Sequence, residues 1–96
     1  MYTFINRFTV SGDAAEFEGL LGKITEYMSR QPGFRSYKLY RSSNDPKVYV
    51  ETAEWDDGGS HKQAVGRDGF RALVGPVMKL ATAEPGPFEL VSQQVG

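Results

Sequence analysis

Alternating apolar and polar residues occupy two stretches of this chain, and the alternation predicts two β-strands. The first runs from Tyr2 to Val10 and the other from Val48 to Trp55. Between them, the segment Phe34–Arg41 predicts a further strand. Alternate residues of a strand share a face. The two sets of interest are Tyr2, Phe4, Asn6, Phe8 and Val10 on the first strand, and Tyr49, Glu51, Ala53 and Trp55 on the third.

Apolar residues at spacings of three and four follow the first strand and predict an amphipathic helix. Asp13, with Glu16 three positions later, has the arrangement of a helix N-cap and capping box. The helix is expected to end before Pro32-Gly33, because the residue before a proline disfavours helical geometry. The apolar stripe consists of Phe17, Leu20, Leu21, Ile24, Tyr27 and Met28.

The chain beyond Trp55 predicts two more helices and a last strand. Ser60 can cap a short helix, and Asp68 can cap a longer one in which Pro76 predicts a kink or a break. Residues 84–87 form a proline-rich segment that predicts a rigid link, followed by the last strand over Phe88–Val95. The stripe of the longer helix is Phe70, Leu73, Val74, Val77 and Met78.

The order β-α-β-β-α-β is the split βαβ pattern of ferredoxin-like folds, in one α+β domain over residues 1–96. A four-stranded antiparallel sheet of this kind carries its helices on one face. The other face would hold Ile5, Val48 and Val50 among threonines, with no helix to cover them. Such a face predicts a homodimer in which two sheets pack together. The alternative is a monomer with a β-branched surface.

Charge and composition narrow the classes of partner. Eleven basic residues against twelve acidic ones give no basic field for nucleic acid, and no apolar run reaches the length of a membrane span. The N-terminus lacks the features of a signal peptide, so we expect a cytoplasmic protein. With no cysteine and a single histidine, no metal site is expected. His61 follows a polar, glycine-rich turn, where most histidines are solvated.

Candidate chemistry lies on the shared face of the first and third strands. If their register brings Asn6, Glu51 and Trp55 together, an amide, a carboxyl and an indole converge in one pocket. Burial would raise the pKa of Glu51 and make it a general base near neutral pH. The alternatives are an Asn6 tied to backbone groups, a Glu51 at the solvent edge or paired with a basic residue, and a Trp55 that serves only the core.

Four short motifs together resemble the antibiotic biosynthesis monooxygenase family: FINRFTV, QPGF, LYRSSNDPKVYV and AEW, in that order. The resemblance covers about residues 2–92. It implies a dimeric α+β barrel that oxidises an aromatic polyketide, such as an anthrone or phenol, to a quinone with O₂ and without flavin, haem or metal. It also implies that Asn6 donates a hydrogen bond to the substrate oxyanion. Trp55 would form a wall of the pocket and a second N–H donor.

The chain departs from the family at Glu51, since several members carry a second asparagine four residues before the tryptophan. A carboxylate cannot donate a hydrogen bond unless protonated. Glu51 as a base would also suit a cyclase or isomerase of a polyketide intermediate. A barrel that binds a small molecule without catalysis is a third alternative. The predicted substrate-binding residues are Phe4, Phe8, Tyr37, Tyr49, Phe70 and Val74.

Overall fold

A computed structural model describes residues 1–96 and contains four strands and three helices. The strands form one antiparallel sheet in the order β2-β3-β1-β4, which confirms the predicted α+β ferredoxin-like fold. No helix has both the length and the apolar character needed to cross a membrane. The elements are β1 Tyr2–Val10, α1 Ala14–Ser29, β2 Phe34–Arg41, β3 Val48–Trp55, α2 Gly58–Val65, α3 Asp68–Met78 and β4 Ala81–Phe88.

The first half of the chain follows its local sequence signals closely. The bounds of the first three strands are those predicted from the residue pattern. The side chain of Asp13 caps α1 by accepting a hydrogen bond of 2.8 Å from the backbone N–H of Glu16. After α1, Gly33 adopts a positive φ of 87°, a conformation that glycine reaches at little cost.

The last strand lies seven residues earlier than the sequence pattern predicted. It spans Ala81–Phe88 and includes Pro85 and Pro87, while residues 89–96 have no regular structure. The proline-rich segment is therefore not a rigid link. It pairs with β1 as an edge strand, the one place in a sheet where missing N–H groups are tolerated.

The residues that cap α2 and α3 differ from those predicted. Asp57, not Ser60, caps α2, by accepting a hydrogen bond of 2.7 Å from the backbone N–H of Ser60. Arg67 takes the cap position of α3 without a side-chain hydrogen bond, and Asp68 is the first helical residue. α3 continues through Pro76 to Met78, so the predicted break does not occur. Pro76 lies in the last turn, close to the helix end, where losing a backbone hydrogen bond disturbs little of the helix.

An irregularity in β2 decides which of its side chains face the helices. The register with β3 shifts between Phe34 and Ser36, as in a β-bulge. Phe34 therefore pairs with Trp55 and Tyr37 with Ala53, although Phe34 and Tyr37 would lie on opposite faces of a regular strand. The bulge thus brings both rings to the helix side.

The buried core consists of two clusters on the helix side of the sheet, and polar residues lie between them. Asn6 and Glu51 face each other on β1 and β3, with Phe8 opposite Tyr49 on one side and Phe4 opposite Ala53 on the other. One cluster is Phe8, Val10, Phe17, Leu21, Tyr49, Val77 and Ala81. The other is Met28, Ala53, Trp55 and Ala64.

All three helices contribute to these clusters, so the opposite face of the sheet has no helix on it. Ile5, Val48 and Val50 are partly exposed there, as predicted. Tyr40 pairs with Val50 and Phe88 pairs with Thr3, so both rings lie on this same face. They are 53% and 52% exposed.

Two glycine substitutions should change the stability in opposite directions. At Gly33, a Cβ would lie 2.5 Å from the Ser60 side chain and would require an unfavourable positive φ. Gly33→Ala should therefore lower the free energy of unfolding by about 1–2 kcal/mol or more. At Gly22, within α1, a Cβ meets nothing within 4 Å. Gly22→Ala should therefore raise the free energy of unfolding by about 0.5–1 kcal/mol. Urea unfolding of both variants checks this, and an unaffected Gly33→Ala would contradict the packing of α2 on this turn.

Candidate functional site

A cavity lies between the helix side of the sheet and the helices, in the gap between the two core clusters. Its empty space is about 650 Å³ out to the mouth, of which about 100 Å³ has room for the centres of water molecules. Fourteen of the 18 lining residues are hydrophobic, which is the composition of a small-molecule site. Its polar groups are few, so their arrangement decides what the site can do. Those that line it are Asn6, Thr25, Tyr37, Glu51 and His61, with the indole of Trp55.

Asn6 and Glu51 form a cross-strand pair on the cavity wall. Their Cα atoms are partners in the β1–β3 register, and Asn6 Nδ2 donates a hydrogen bond of 3.3 Å to Glu51 Oε2. Asn6 is 8% exposed, and its Oδ1 is buried with no hydrogen-bond partner. Asn6 is therefore tied to Glu51 rather than to backbone groups. The atom it leaves unsatisfied is an acceptor.

Tyr37 contacts the same carboxylate from β2. Its hydroxyl donates a hydrogen bond of 2.9 Å to Glu51 Oε1. Burial, and then the negative charge of Glu51, raise the pKa of Tyr37 above its ordinary value. The phenol consequently keeps its proton and acts as a donor to Glu51 at neutral pH.

Glu51 is a carboxylate with neutral partners. Burial raises the pKa of Glu51, and the hydrogen bonds from Tyr37 and Asn6 offset part of that rise. None of the ion pairs in the structure involves Glu51, so it is not paired with a basic residue. It lines the cavity rather than the solvent edge of the sheet. A carboxylate with a raised pKa on the wall of an apolar cavity has the properties of a general base.

Most of the predicted site residues meet at this cavity. Trp55 is 1% exposed and packs edge-on against Phe34, with ring centroids 5.4 Å apart. The expected convergence of Asn6, Glu51 and Trp55 therefore occurs in the structure. The predicted substrate-binding residues that line the cavity are Phe4, Phe8, Tyr37, Phe70 and Val74.

Tyr49 is the exception. It is 1% exposed, belongs to the other core cluster, and does not line the cavity. Its ring packs 5.0 Å from that of Phe17, and its hydroxyl donates to Glu18. The structure therefore does not bring Tyr49 to this cavity, because its ring is packed into the core against Phe17.

His61 and Thr25 line the cavity but were missed from the sequence. His61 is half-buried in an aromatic surrounding, with ring centroids 4.5 Å from Phe4, 5.3 Å from Tyr2 and 5.5 Å from Trp55. Its Nδ1 is 3.3 Å from the hydroxyl of Tyr2. Burial lowers the pKa of His61, so the ring is neutral at neutral pH. The available signal was Asp57, since a cap there makes His61 the fourth residue of α2 rather than its first.

No group of three or more histidine, cysteine, aspartate or glutamate side chains is arranged to hold a metal ion. The polar wall of the cavity offers one carboxylate, one amide and one imidazole. These groups can exchange protons and hydrogen bonds with a bound molecule.

Comparison with known proteins identifies the family. The chain is 37% identical over 86 residues to a deoxynogalonate monooxygenase of Streptomyces nogalater. The aligned residues cover 90% of this chain and 73% of that protein. The crystal structure of SnoaB, a cofactor-independent oxygenase from Streptomyces nogalater, matches with a TM-score of 0.93 and 35% identity. That match covers 96% of this chain and 94% of SnoaB.

A more distant structure shares the fold alone. A conserved protein from Methanosarcina mazei Go1 matches with a TM-score of 0.84 at 20% identity, covering 91% of this chain and 89% of that one. Residues 1–75 match the family described as antibiotic biosynthesis monooxygenase. The chain therefore belongs to the antibiotic biosynthesis monooxygenase family and is an enzyme of the monooxygenase class.

Proposed function

We propose that this enzyme oxidises an aromatic polyketide-type substrate, an anthrone or related phenol, to a quinone with O₂ and no cofactor. The observation that carries the proposal is the hydrogen-bonded Asn6–Glu51–Tyr37 cluster on the wall of a mostly apolar cavity. The relatives support the reaction class, since one is a deoxynogalonate monooxygenase and another a cofactor-independent oxygenase.

The shape and lining of the cavity suit a flat aromatic ligand. Phenylalanine, tryptophan and tyrosine rings surround it, and aromatic rings pack against such side chains in stacked or edge-on geometries. An apolar wall also lowers the local dielectric, which strengthens every hydrogen bond to a developing charge.

Glu51 is the proton acceptor in this proposal. It takes a proton from the substrate carbon or hydroxyl, and the substrate becomes an enolate or phenolate. Tyr37 and Asn6 each donate a hydrogen bond to the Glu51 carboxylate and so fix its two oxygens. The free Oδ1 of Asn6 can accept a hydrogen bond from a substrate hydroxyl, which would satisfy its missing partner.

The oxidation balances without an added reductant. For an anthrone, the CH₂ carbon first loses a proton to Glu51, and the resulting enolate gives up electrons to O₂ as a carbon–oxygen bond forms. Proton return from Glu51 gives a hydroperoxide. Loss of the second hydrogen on that carbon as H⁺, with cleavage of the O–O bond, releases water and leaves the carbonyl of the quinone. The substrate supplies all the electrons, and the protein holds the reactants and moves protons.

Replacing Glu51 by glutamine should slow the reaction because an amide cannot accept the substrate proton. With an anthrone in air, Glu51→Gln should lower kcat/KM by about 10²- to 10⁴-fold. Glu54→Gln is the matched control, since Glu54 lies on the same strand but on the exposed opposite face. Oxygen uptake, with mass spectrometry of the product, measures both.

The same assay without O₂ separates the alternatives. Turnover of the substrate under nitrogen, abolished in Glu51→Gln, would favour a cyclase or isomerase and end the oxygenase proposal. Binding of the anthrone with no product in either atmosphere would favour a non-catalytic binding domain. Consumption of one O₂ for each quinone formed is the expected result.

Glu51→Gln should also make the protein more stable, in a pH-dependent way. Because the folded state raises the pKa of Glu51, the folded state holds a proton at pH values where the unfolded state has lost it. The free energy of unfolding of the wild type therefore falls as the pH rises through this window, which begins at about 4.3. Glutamine carries no such penalty.

Glutamine can accept from Tyr37, and it can donate to Oδ1 of Asn6 once the Asn6 amide turns over, which exchanges one hydrogen bond of Asn6 for another. Urea unfolding should show a larger gain for Glu51→Gln at about pH 7 than at about pH 4. An equal gain at both pH values would show that the carboxylate is not destabilised by burial.

We also propose that two copies pair through the sheet face that carries no helix. Ile5 and Val50 lie near the middle of that face, and the exposed rings of Tyr40 and Phe88 extend the apolar surface. The chain that follows β4 adds further exposed apolar side chains that a second copy could cover. These are Leu90, Val91 and Val95, which are 72%, 92% and 81% exposed.

Light scattering after gel filtration should give the mass of a dimer for the wild type. Val50→Lys places a charge in the middle of the paired face and should give a monomer, because an unpaired buried charge is strongly unfavourable. Lys23→Glu is the control, on the exposed side of α1. A monomeric wild type would exclude the pairing.

A further inference from the structure

His61 lines the cavity, whereas its sequence context suggested a solvated side chain. We infer that His61 is a further catalytic residue, which donates a hydrogen bond from Nε2–H to the oxygen where substrate charge develops. This inference rests on the proposed function, since it assigns the oxyanion of that reaction to a protein donor. Three features support it: the position of the ring, the contact of its Nδ1 with the Tyr2 hydroxyl, and the engagement of the Asn6 and Tyr37 donors by Glu51.

The position of His61 relative to Glu51 fits a ring-sized substrate. His61 packs on Phe4, and Phe4 and Asn6 are neighbours on the same face of β1. Two residues of a strand span about 7 Å. Glu51 is the direct cross-strand partner of Asn6. The carboxylate and the imidazole therefore line separate parts of the cavity.

The hydroxyl of Tyr2 sets the tautomer in this proposal. It is 3.3 Å from Nδ1 of His61, and a phenol that keeps its proton can donate to an unprotonated ring nitrogen. The single proton of the neutral imidazole then lies on Nε2. Tyr2 is thus a positioning residue, because it acts on the substrate only through His61.

Glu51 engages two of the donors of the cavity, which leaves the indole of Trp55 and the imidazole of His61 as its remaining ring N–H groups. The amide N–H of Asn6 donates to Glu51, and the Asn6 atom without a partner is the acceptor Oδ1. The hydroxyl of Tyr37 also donates to Glu51. Two of the polar groups that could stabilise an oxyanion are thus occupied by the carboxylate. His61 makes no hydrogen bond to that cluster, and its only hydrogen-bond contact is through Nδ1, so its Nε2 is free to face a ligand.

In a conjugated ring ketone, proton removal by Glu51 creates negative charge at the oxygen to which His61 donates. When Glu51 removes a proton from the ring carbon, the electron pair moves through the ring to the carbonyl oxygen on the opposite side. A preorganised N–H beside that oxygen stabilises the transition state more than the ground state. No bond to His61 forms or breaks, and its proton stays on Nε2.

Kinetics of two His61 variants test the donor. His61→Phe keeps a flat ring but removes the N–H, and it should lower kcat at least tenfold with KM changed less than twofold. His61→Gln retains an N–H donor at a similar distance from the backbone and should recover most of the lost kcat. Equal kcat values in the wild type and His61→Phe would overturn the inference. An inactive wild type would instead count against the proposed function itself.

Two measurements report on His61 without turnover. The first is the apparent pKa of bound 1,8-dihydroxyanthraquinone, a dye whose colour changes on ionisation. A donor to the anion lowers that pKa, so His61→Phe should raise it by at least one unit relative to the wild type. An unchanged value would overturn the inference even if the variant were poorly active.

The second is the nitrogen NMR signature of the imidazole. At neutral pH the wild type should show a protonated Nε2 and an unprotonated Nδ1, and Tyr2→Phe should shift the ring toward a mixture of tautomers. A proton on Nδ1 in the wild type, or a charged ring, would contradict the assignment of Nε2–H as a neutral donor.

Discussion

The hydrogen bond between Asn6 and Glu51 is the constraint on which the site depends. Two polar side chains face each other across β1 and β3, in the middle of a face that is otherwise apolar. They divide the core into two clusters, and the cavity lies where those clusters do not meet. A buried acceptor without a partner and a buried carboxylate both lower stability. A small domain retains such groups where a ligand completes their contacts.

The presence of a glutamate at position 51 changes the hydrogen-bonding character of the whole cavity. A carboxylate accepts only, so it turns the Asn6 amide and the Tyr37 hydroxyl toward itself. That side of the cavity therefore offers a base and acceptors. His61 lies at the other side, held by a ring of aromatic side chains. In the proposed mechanism, the proton acceptor and the hydrogen-bond donor to the oxyanion are one side chain on β3 and one on α2.

The sequence predicts the fold well where one periodic signal acts alone. The first three strands and the capped helix α1 follow from alternation and from Asp13. Because alternation fixes the face of each side chain, the meeting of Asn6, Glu51 and Trp55 could also be predicted. Position along a strand is different. Tyr49 has the parity of Glu51, but it lies beyond the pair and packs into the core on Phe17.

Other features depend on tertiary context that local patterns do not carry. The bulge in β2 brings Tyr37 to the carboxylate, and no residue type near Phe34 indicates it. His61 enters the cavity because α2 begins at Gly58, under a cap by Asp57. The last strand was misplaced because its prolines are poor strand residues except at the edge of a sheet.

Those prolines have a consequence for how the protein can associate. The ladder with β1 continues past Pro85 and Pro87, so their nitrogens, which carry no hydrogen, point outward from the sheet. An incoming strand would find two of its carbonyl groups unmatched along that border. Endless side-by-side growth into a fibre is thereby discouraged at β4.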